Sequence, residues 1–213
     1  LGERDCSVQR RHQKIIEEGP SPAVDEKARE TIVKKITKAV SAIGYVGLGT
    51  MEFLLDKEGH FWFMEMNLRL QVEHGVTELL TGIDLVKWQL RVACGVPLVF
   101  SQEDILLKGA SIECRINARS VGKVEQLHAP GGPFVRFDTF LMQDEAISPY
   151  YDSLVGKLIV WDNNRNEALR KMRAALCELV IVGIDTNIEE LLELLDKEEF
   201  ASGSYDLTMM EGR

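Results

Sequence analysis

The sequence predicts an α+β fold, and three observations lead there. Helical and strand patterns follow one another without regular strand–helix–strand units. Strand patterns crowd residues 109–161, and helical periodicity returns only from about residue 166. The pattern changes character across Pro97–Lys108, which sets a soft boundary near residue 107 between segments 1–107 and 108–213.

The elements follow from local signals. The opening is charged and carries the basic run Gln9-Arg10-Arg11-His12-Gln13-Lys14, and Gly19-Pro20-Ser21-Pro22 reads as a loop. A helix is expected from an Asp25 N-cap to Ile43, with Ala28, Ile32, Ile36, Ala39, Val40 and Ile43 on one face and Gly44 as its stop. Residues 49–55 and 60–66 read as a hairpin around the turn Asp56-Lys57-Glu58-Gly59. A second helix is expected from Asp84 to Gly95, with Leu85, Trp88 and Val92 facing in. Strands are expected at 109–118, 123–128, 134–138 and 153–161, with a hairpin turn at Pro130-Gly131-Gly132-Pro133. Two helices close the pattern, about 166–180 with Leu169, Met172, Leu176 and Leu179 inward, and about 186–195.

Composition narrows the function classes. The 213 residues suffice for one large or two small domains, and 45% hydrophobic with 28% charged residues excludes a disordered chain. No apolar run approaches the ~20 residues of a membrane span. The charged start lacks a signal-peptide core and a Met, so the chain is expected to be cut from a longer one. A net charge of −9 argues against a nucleic-acid backbone binder. Cys6, Cys94, Cys114 and Cys177 are far apart without a C-x-x-C, so buried thiols in a reducing, cytoplasmic setting are expected and a zinc site is not.

The chemistry concentrates between residues 65 and 73. In Glu65-Met66-Asn67-Leu68-Arg69-Leu70-Gln71-Val72-Glu73 every odd position is polar and every even one apolar, so an extended chain would put the five polar residues on one side. A solvent-facing strand alternates in the same way. This face, however, holds two carboxylates, two carboxamides and a guanidinium rather than Thr, Lys and Ser. The four-residue turn after Asp56 sets Glu52 opposite Glu65, where two carboxylates would repel. A divalent cation removes that conflict, and Glu52, Glu65 and Asn67 make a hard oxygen set suited to Mg²⁺, which would bring a nucleotide with it. Water between the two carboxylates is the plainer alternative. Ser111, Glu113, Arg115 and Asn117 alternate in the same way on a later strand, a pattern that surface salt bridges also produce. No Walker A motif, no G-x-G-x-x-G opening a helix and no G-x-S-x-G is present, and no Cys sits in a nucleophile's context.

These residues also carry a resemblance. Residues 3–14, Gly49-Thr50-Met51-Glu52-Phe53, Glu65-Met66-Asn67, Arg69-Leu70-Gln71-Val72-Glu73-His74, Glu113-Cys114-Arg115-Ile116-Asn117-Ala118, His128-Ala129-Pro130-Gly131-Gly132, Tyr150-Tyr151-Asp152-Ser153, Gly156-Lys157 and Gly183-Ile184-Asp185-Thr186-Asn187 resemble biotin carboxylases of the ATP-grasp family. Other ATP-grasp ligases share the Glu…Glu-x-Asn set but not the Arg-Leu-Gln-Val-Glu-His run. The resemblance implies the distal lobe of an ATP-grasp domain over 1–107, then the biotin carboxylase C-terminal domain over 108–213. It implies ATP- and bicarbonate-dependent carboxylation of biotin through carboxyphosphate, as in the first half-reaction of an acetyl-CoA carboxylase in fatty acid biosynthesis. The cofactors implied are ATP, Mg²⁺ or Mn²⁺, and biotin on a carrier protein. The partners implied are that biotin carboxyl carrier protein, carboxyltransferase subunits and a second copy, with no nucleic acid or membrane.

By the same resemblance, Glu52, Glu65 and Asn67 would hold the metals, with Gln9 and His12, beside Glu52 and Glu65, on the nucleotide side. Lys14, Arg69, Gln71 and the backbone of Val72 would hold bicarbonate, Glu73 would be its general base, and Arg115 would stabilise the biotin enolate. Two departures stand out. The family's upstream domain and ATP lid are not in the sequence, so the chain alone is expected to be inactive. A longer acidic loop is usual where Arg119-Ser120-Val121 joins Ala118 to Gly122, and Gly75 replaces a common Pro. A pyruvate or propionyl-CoA type of carboxylase, and a non-catalytic dimerisation or docking module, remain open as alternatives.

Overall fold

The computed structural model describes residues 1–210, so the end of the 108–213 segment lies outside the described residues. Strands β1 (Asp5–Arg10) and β2 (Gln13–Gly19) form a first hairpin, followed by helix α1 (Glu26–Ala42). A second hairpin, β3 (Thr50–Leu55) and β4 (Phe61–Asn67), leads to helices α2 (His74–Thr81) and α3 (Leu85–Ala93). Then come β5 (Ala110–Asn117), β6 (Gly122–Lys123), β7 (Gln126–His128), β8 (Val135–Thr139), β9 (Ala146–Ile147) and β10 (Leu154–Asp162). Helix α4 (Arg165–Glu178), strand β11 (Val180–Val182), and helices α5 (Ile188–Asp196) and α6 (Glu198–Ser202) follow.

The centre is a five-stranded antiparallel sheet in the order β1-β2-β5-β10-β8. Strand β2 lies beside β5, with Ile16 opposite Cys114 and Glu17 opposite Glu113, so the sheet draws strands from both sides of residue 107. Side chains alternate across it. One face carries Ile112, Cys114, Ile116, Leu158 and Val160, and packs on Leu169, Met172 and Leu176 of α4 and on Leu191, Leu194 and Leu195 of α5. Salt bridging closes this side, as Arg165 at the start of α4 binds Glu18 and the carbonyls of Phe200 and Ala201. The other face carries Glu17, Glu113, Arg115 and Lys157, and α2 lies over it with Val76 and Leu80 buried.

Several expectations hold. Asp25 and Asp84 cap α1 and α3 by accepting from the N–H groups of Ala28 and Lys87. Glu52 is directly opposite Glu65 in the β3–β4 ladder. Leu169, Met172, Leu176 and Leu179 are buried.

Other features differ. The charged opening forms the β1–β2 hairpin around Arg11 and His12, both at positive φ (50° and 66°). Two-residue turns of this kind favour Asn-Gly, so Arg-His leaves no signal in the sequence. Helices α2 and α6 and strands β9 and β11 were not expected from local patterns, being short. The 123–128 stretch divides into β6 and β7, which join β9 and β11 respectively. Residues 130–133 are therefore not a hairpin turn: β8 pairs with β10, and positive φ at Gly132 and Phe134 carries the chain from one sheet to the other. The apolar stripe of α1 has no buried residue, and Trp62, Phe63 and Met64 of β4 are exposed. Only Cys114 of the four free cysteines is buried, because Cys94 ends α3 and Cys177 points outward from α4.

The short 118–122 connection is firmly tied. Arg119 N–H donates to the Asp185 carbonyl (2.7 Å), and Asp185 N–H donates to Ser120 Oγ (2.8 Å). Gly183, at φ 99°, lets the chains meet there, since a Cβ would lie 2.0 Å from the Lys123 carbonyl oxygen. Buried Asn187 clamps the end of β5 by accepting from Asn117 N–H (2.8 Å) and donating to the Arg115 carbonyl (2.9 Å).

Leu158 is fully buried on β10 against the α4–α5 layer. Leu158→Ala is expected to destabilise the chain by about 2–5 kcal/mol, as large-to-small core changes do. Urea unfolding of both forms measures this, and a loss under 1 kcal/mol would place the core elsewhere.

Candidate active site

The site lies where β2, β5, the end of β4 and the start of α2 converge. Its pivot is Glu73, the residue before α2, which is 2% exposed. Lys14 on β2 donates to Glu73 Oε1 at 2.6 Å, and Arg115 on β5 donates to Oε2 at 3.1 Å. Lys14 also reaches Glu52 Oε1 on β3 at 3.1 Å. That oxygen further accepts from Gln71 Nε2 (2.7 Å) and Asn67 Nδ2 (3.1 Å). Asn67 Nδ2 donates to Glu65 Oε1 at 2.8 Å, and Arg69 donates to Asn67 Oδ1 at 3.2 Å. Lys14, Glu52, Glu65, Asn67, Arg69, Gln71, Glu73 and Arg115 thus belong to one continuous hydrogen-bonded network.

The route differs from the extended strand expected over 65–73. Strand β4 ends at Asn67, and the chain then bends. His74 N–H closes a turn on the Gln71 carbonyl (3.3 Å), and α2 begins. Lys157 Nζ holds the Val72 carbonyl at 2.6 Å, which pins that turn to β10. Gln71 and Glu73 come inside, whereas Arg69 stays exposed.

Gln9 lies directly opposite Lys14 in the β1–β2 ladder, but its side chain turns away from the network, with Nε2 donating to the Cys6 carbonyl (2.7 Å). His12 is exposed in the hairpin turn.

Sequence reasoning left out several members. Arg4 donates to Gln71 Oε1 and Thr77 Oγ1, both at 2.7 Å. Glu17, fully buried, accepts from Arg115 Nε at 2.6 Å. Lys157 lies 3.6 Å from Asp138 and 4.0 Å from Glu113. The available signal was the buried-strand run Ile15-Ile16-Glu17-Glu18, where acids interrupt an apolar segment.

The electrostatics set the protonation states. Burial pushes the Glu73 carboxyl up, but the Lys14 hydrogen bond and charge, helped by Arg4, outweigh it and hold Glu73 below the usual carboxylate range. Burial opposes the charge on Lys14 and on Arg115, yet the surrounding acidic groups keep both cations above their ordinary values. Burial pushes Glu17 up to about 7 in spite of Arg115.

The donor set fits a hard divalent cation. The two directly opposed carboxylates converge on Asn67, which turns Nδ2 to both and Oδ1 to Arg69, so the carboxamide oxygen would join them as a ligand once the amide turns over.

Comparison with known proteins identifies the family. Residues 1–100 match the family model for the carbamoyl-phosphate synthase L chain, ATP binding domain, and residues 113–212 match that for the biotin carboxylase C-terminal domain. The chain belongs to the biotin carboxylase family of ATP-grasp proteins. Biotin carboxylase of Pseudomonas aeruginosa is 49% identical over 218 residues, covering 99% of this chain and 48% of the relative. The biotin carboxylase–β,γ-ATP complex from Campylobacter jejuni superposes with TM-score 0.95 at 47% identity, covering 98% of this chain and 48% of that one. The biotin carboxylase domain dimer of Hydrogenobacter thermophilus 2-oxoglutarate carboxylase, solved with MgADP, ADP and bicarbonate, superposes with TM-score 0.96 at 44% identity, covering 99% and 48%. The chain therefore spans about half the length of the relatives it matches. Among the described residues no helix is long and apolar enough to cross a membrane.

Lys14 is the first pairing partner that holds Glu73 ionised. In Lys14→Met the Glu73 titration is expected to move upward, because burial then dominates. A depressed pKa contributes stability above the ordinary glutamate value near 4.5 that is lost as pH falls through the folded value. The variant should accordingly lose less stability on acidification than wild type. Carboxyl NMR of ¹³C-labelled glutamate reads the shift, and an unmoved Glu73 would contradict the assignment.

Proposed function

We propose that this chain carries the bicarbonate-activating and biotin-facing part of an ATP-dependent biotin carboxylase. The observation that carries the reading is the shared Glu73 carboxylate, one oxygen on Lys14 and the other on Arg115, joined through Lys14 to Glu52 Oε1 and from there through Asn67 Nδ2 to Glu65. Bicarbonate is a small planar anion that suits an ammonium and a guanidinium fork, here Lys14 and Arg69, with Gln71 and the Val72 backbone beside them. Lys14 engages Glu73 and Glu52 with two of its three N–H groups, so the third is available to the anion, whose negative charge then lies beside Glu73. The proton affinity of Glu73 then rises, and it takes the bicarbonate proton as general base. Arg115, fixed from behind by Glu17, presents a preorganised cation to the developing enolate oxygen of biotin.

Glu52, Glu65 and Asn67 would hold Mg²⁺ or Mn²⁺, which when bound offsets phosphate charge during phosphoryl transfer from ATP. Gln9 and His12, on the β1–β2 hairpin, are assigned to the nucleotide side. The division into 1–107 and 108–213 belongs to this reading as a division of sequence. The exposed Trp62, Phe63 and Met64 would be covered by the remainder of a longer protein, and turnover by the chain alone is not expected. The reading further takes the protein as the cytoplasmic biotin carboxylase subunit of an acetyl-CoA carboxylase, homodimeric, serving a biotin carboxyl carrier protein and carboxyltransferase subunits. The 2-oxoglutarate carboxylase neighbour favours one alternative, a domain of a 2-oxoacid carboxylase of the pyruvate type.

The test separates Glu73 from Arg115 in a full-length protein containing this chain, measuring phosphate release and carboxybiotin side by side. Glu73→Gln is expected to lower bicarbonate-dependent phosphate release by about 10²–10⁴-fold, the usual worth of a general base. Arg115→Gln is expected to keep most phosphate release and to lower carboxybiotin formation by about 10²–10³-fold. Equal loss of both activities in both variants would overturn the division of roles.

A further inference from the structure

Behind Arg115 lie two fully buried carboxyl groups, Glu17 on β2 and Glu113 on β5, directly opposite each other in the ladder and on the same face. Such cross-strand neighbours have Cβ atoms about 4.5–5.5 Å apart. Two buried carboxylates at that spacing repel strongly, yet neither is fully compensated. Glu17 uses Oε1 on Arg115, while its Oε2 has no hydrogen-bond partner among the described residues. Glu113 has no hydrogen bond on either oxygen, and its nearest cation, Lys157, is 4.0 Å away with a hydrogen bond committed to the Val72 carbonyl. Buried polar atoms are rarely left so, and three orphaned oxygens on facing carboxyls are complementary only if one group brings a proton.

We propose that Glu17 and Glu113 share a single proton, residing on Glu113 and donated toward Glu17 Oε2, and that this pair makes Glu17 the positioning residue for Arg115. The protonated Glu113 removes the like-charge conflict. It leaves Glu17 as a carboxylate with one oxygen committed to Arg115 and the other to the shared proton. The surroundings agree. The groups facing the pair are Arg115 on β5, Lys157 on β10, Asp138 on β8, Lys14 on β2, Glu73 before α2 and the Cys6 thiol on β1, which burial and then the Glu17 charge push up, so cations are already spoken for by other acids. Helix α2 closes the pair from above: a Cβ on Gly75 would lie 2.3 Å from Ile159 Cδ1 and 3.3 Å from Glu113 Oε2, which leaves no room there for a counter-charge. Burial, then the Glu17 charge, pushes the Glu113 carboxyl well up, and burial likewise raises Glu17. The proton pair stands on geometry alone, and its bearing on turnover rests on the carboxylase reading.

The test uses the chain itself and needs no activity. Infrared spectra in D₂O near neutral pH are expected to show a protonated-carboxyl C=O band in wild type that is missing from Glu113→Gln. Wild-type stability, relative to Glu113→Gln, should fall as pH rises above about 4.5. There the folded chain keeps a proton that the unfolded one releases, which changes the folding constant by up to about tenfold per pH unit. Gln is the neutral isostere, so the variant should fold at neutral pH. Failure to fold, an unchanged band, or parallel pH profiles would each overturn the shared proton. For positioning, solvent exchange of the Arg115 Nε–H, followed by ¹⁵N-arginine NMR, should match wild type in Glu113→Gln and be about tenfold faster in Glu17→Gln, where a charge-assisted bond becomes a neutral one. Glu17→Asp, shorter by one methylene, serves with the same expectation should Glu17→Gln not fold. Equal exchange rates would overturn the positioning role.

Discussion

Glu73 divides its two carboxylate oxygens between two cations from different strands, Lys14 on β2 and Arg115 on β5. That arrangement requires the central sheet, because β2 and β5 are separated by some ninety residues of chain and meet only as ladder neighbours. It also requires α2 to begin where it does, since Glu73 is delivered by the turn that Lys157 pins through the Val72 carbonyl. Removing one partner of a buried charge pair leaves the other uncompensated, a larger penalty than the pair is worth. The hairpin, the sheet centre and the α2 turn are therefore coupled through one carboxylate.

The sheet serves two ends with its two faces. The face against α4 and α5 is apolar and supplies the core. The face beneath α2 is occupied by acids and bases that cross-pair along the strands: Glu17 with Glu113, Arg115 with Lys157, and Lys157 with Asp138. In a chain of net charge −9 this region thus sets Lys14, Arg115 and Lys157 among an even larger group of carboxyls, Glu17, Glu52, Glu73, Glu113 and Asp138.

Much of this was legible in the sequence where local rules govern. The Asp25 and Asp84 caps start their helices because each depends on neighbours within a few residues, and Glu52 does face Glu65, though through a β-bulge between Glu52 and Phe53 and not through turn length alone, which pairs Phe53 with Phe63. The alternation over 65–73 identified the right side chains but not their path. Only 65–67 are strand, and the later residues reach the site through a turn and a helix start. The β1–β2 hairpin was hidden because Arg11-His12 lacks turn residues and β2 finds its partner far along the chain. The same non-local pairing hid Glu17, whose meaning appears only once Arg115 and Glu113 lie beside it. The Pro130–Pro133 stretch misled in the opposite way: its turn chemistry is real, but it links strands of different sheets.

The central claim is that Glu73 accepts the proton while Lys14 and Arg69 hold the anion. Binding of ¹³C-bicarbonate near pH 8 to a full-length protein containing this chain, read from its NMR linewidth, separates the two roles. Bicarbonate binding should survive in Glu73→Gln within a few fold, and should weaken about tenfold or more in Arg69→Gln, the loss of one hydrogen bond from a charged donor. Loss of binding in Glu73→Gln with none in Arg69→Gln would contradict the account, and would make Glu73 a brace for the two cations rather than the base.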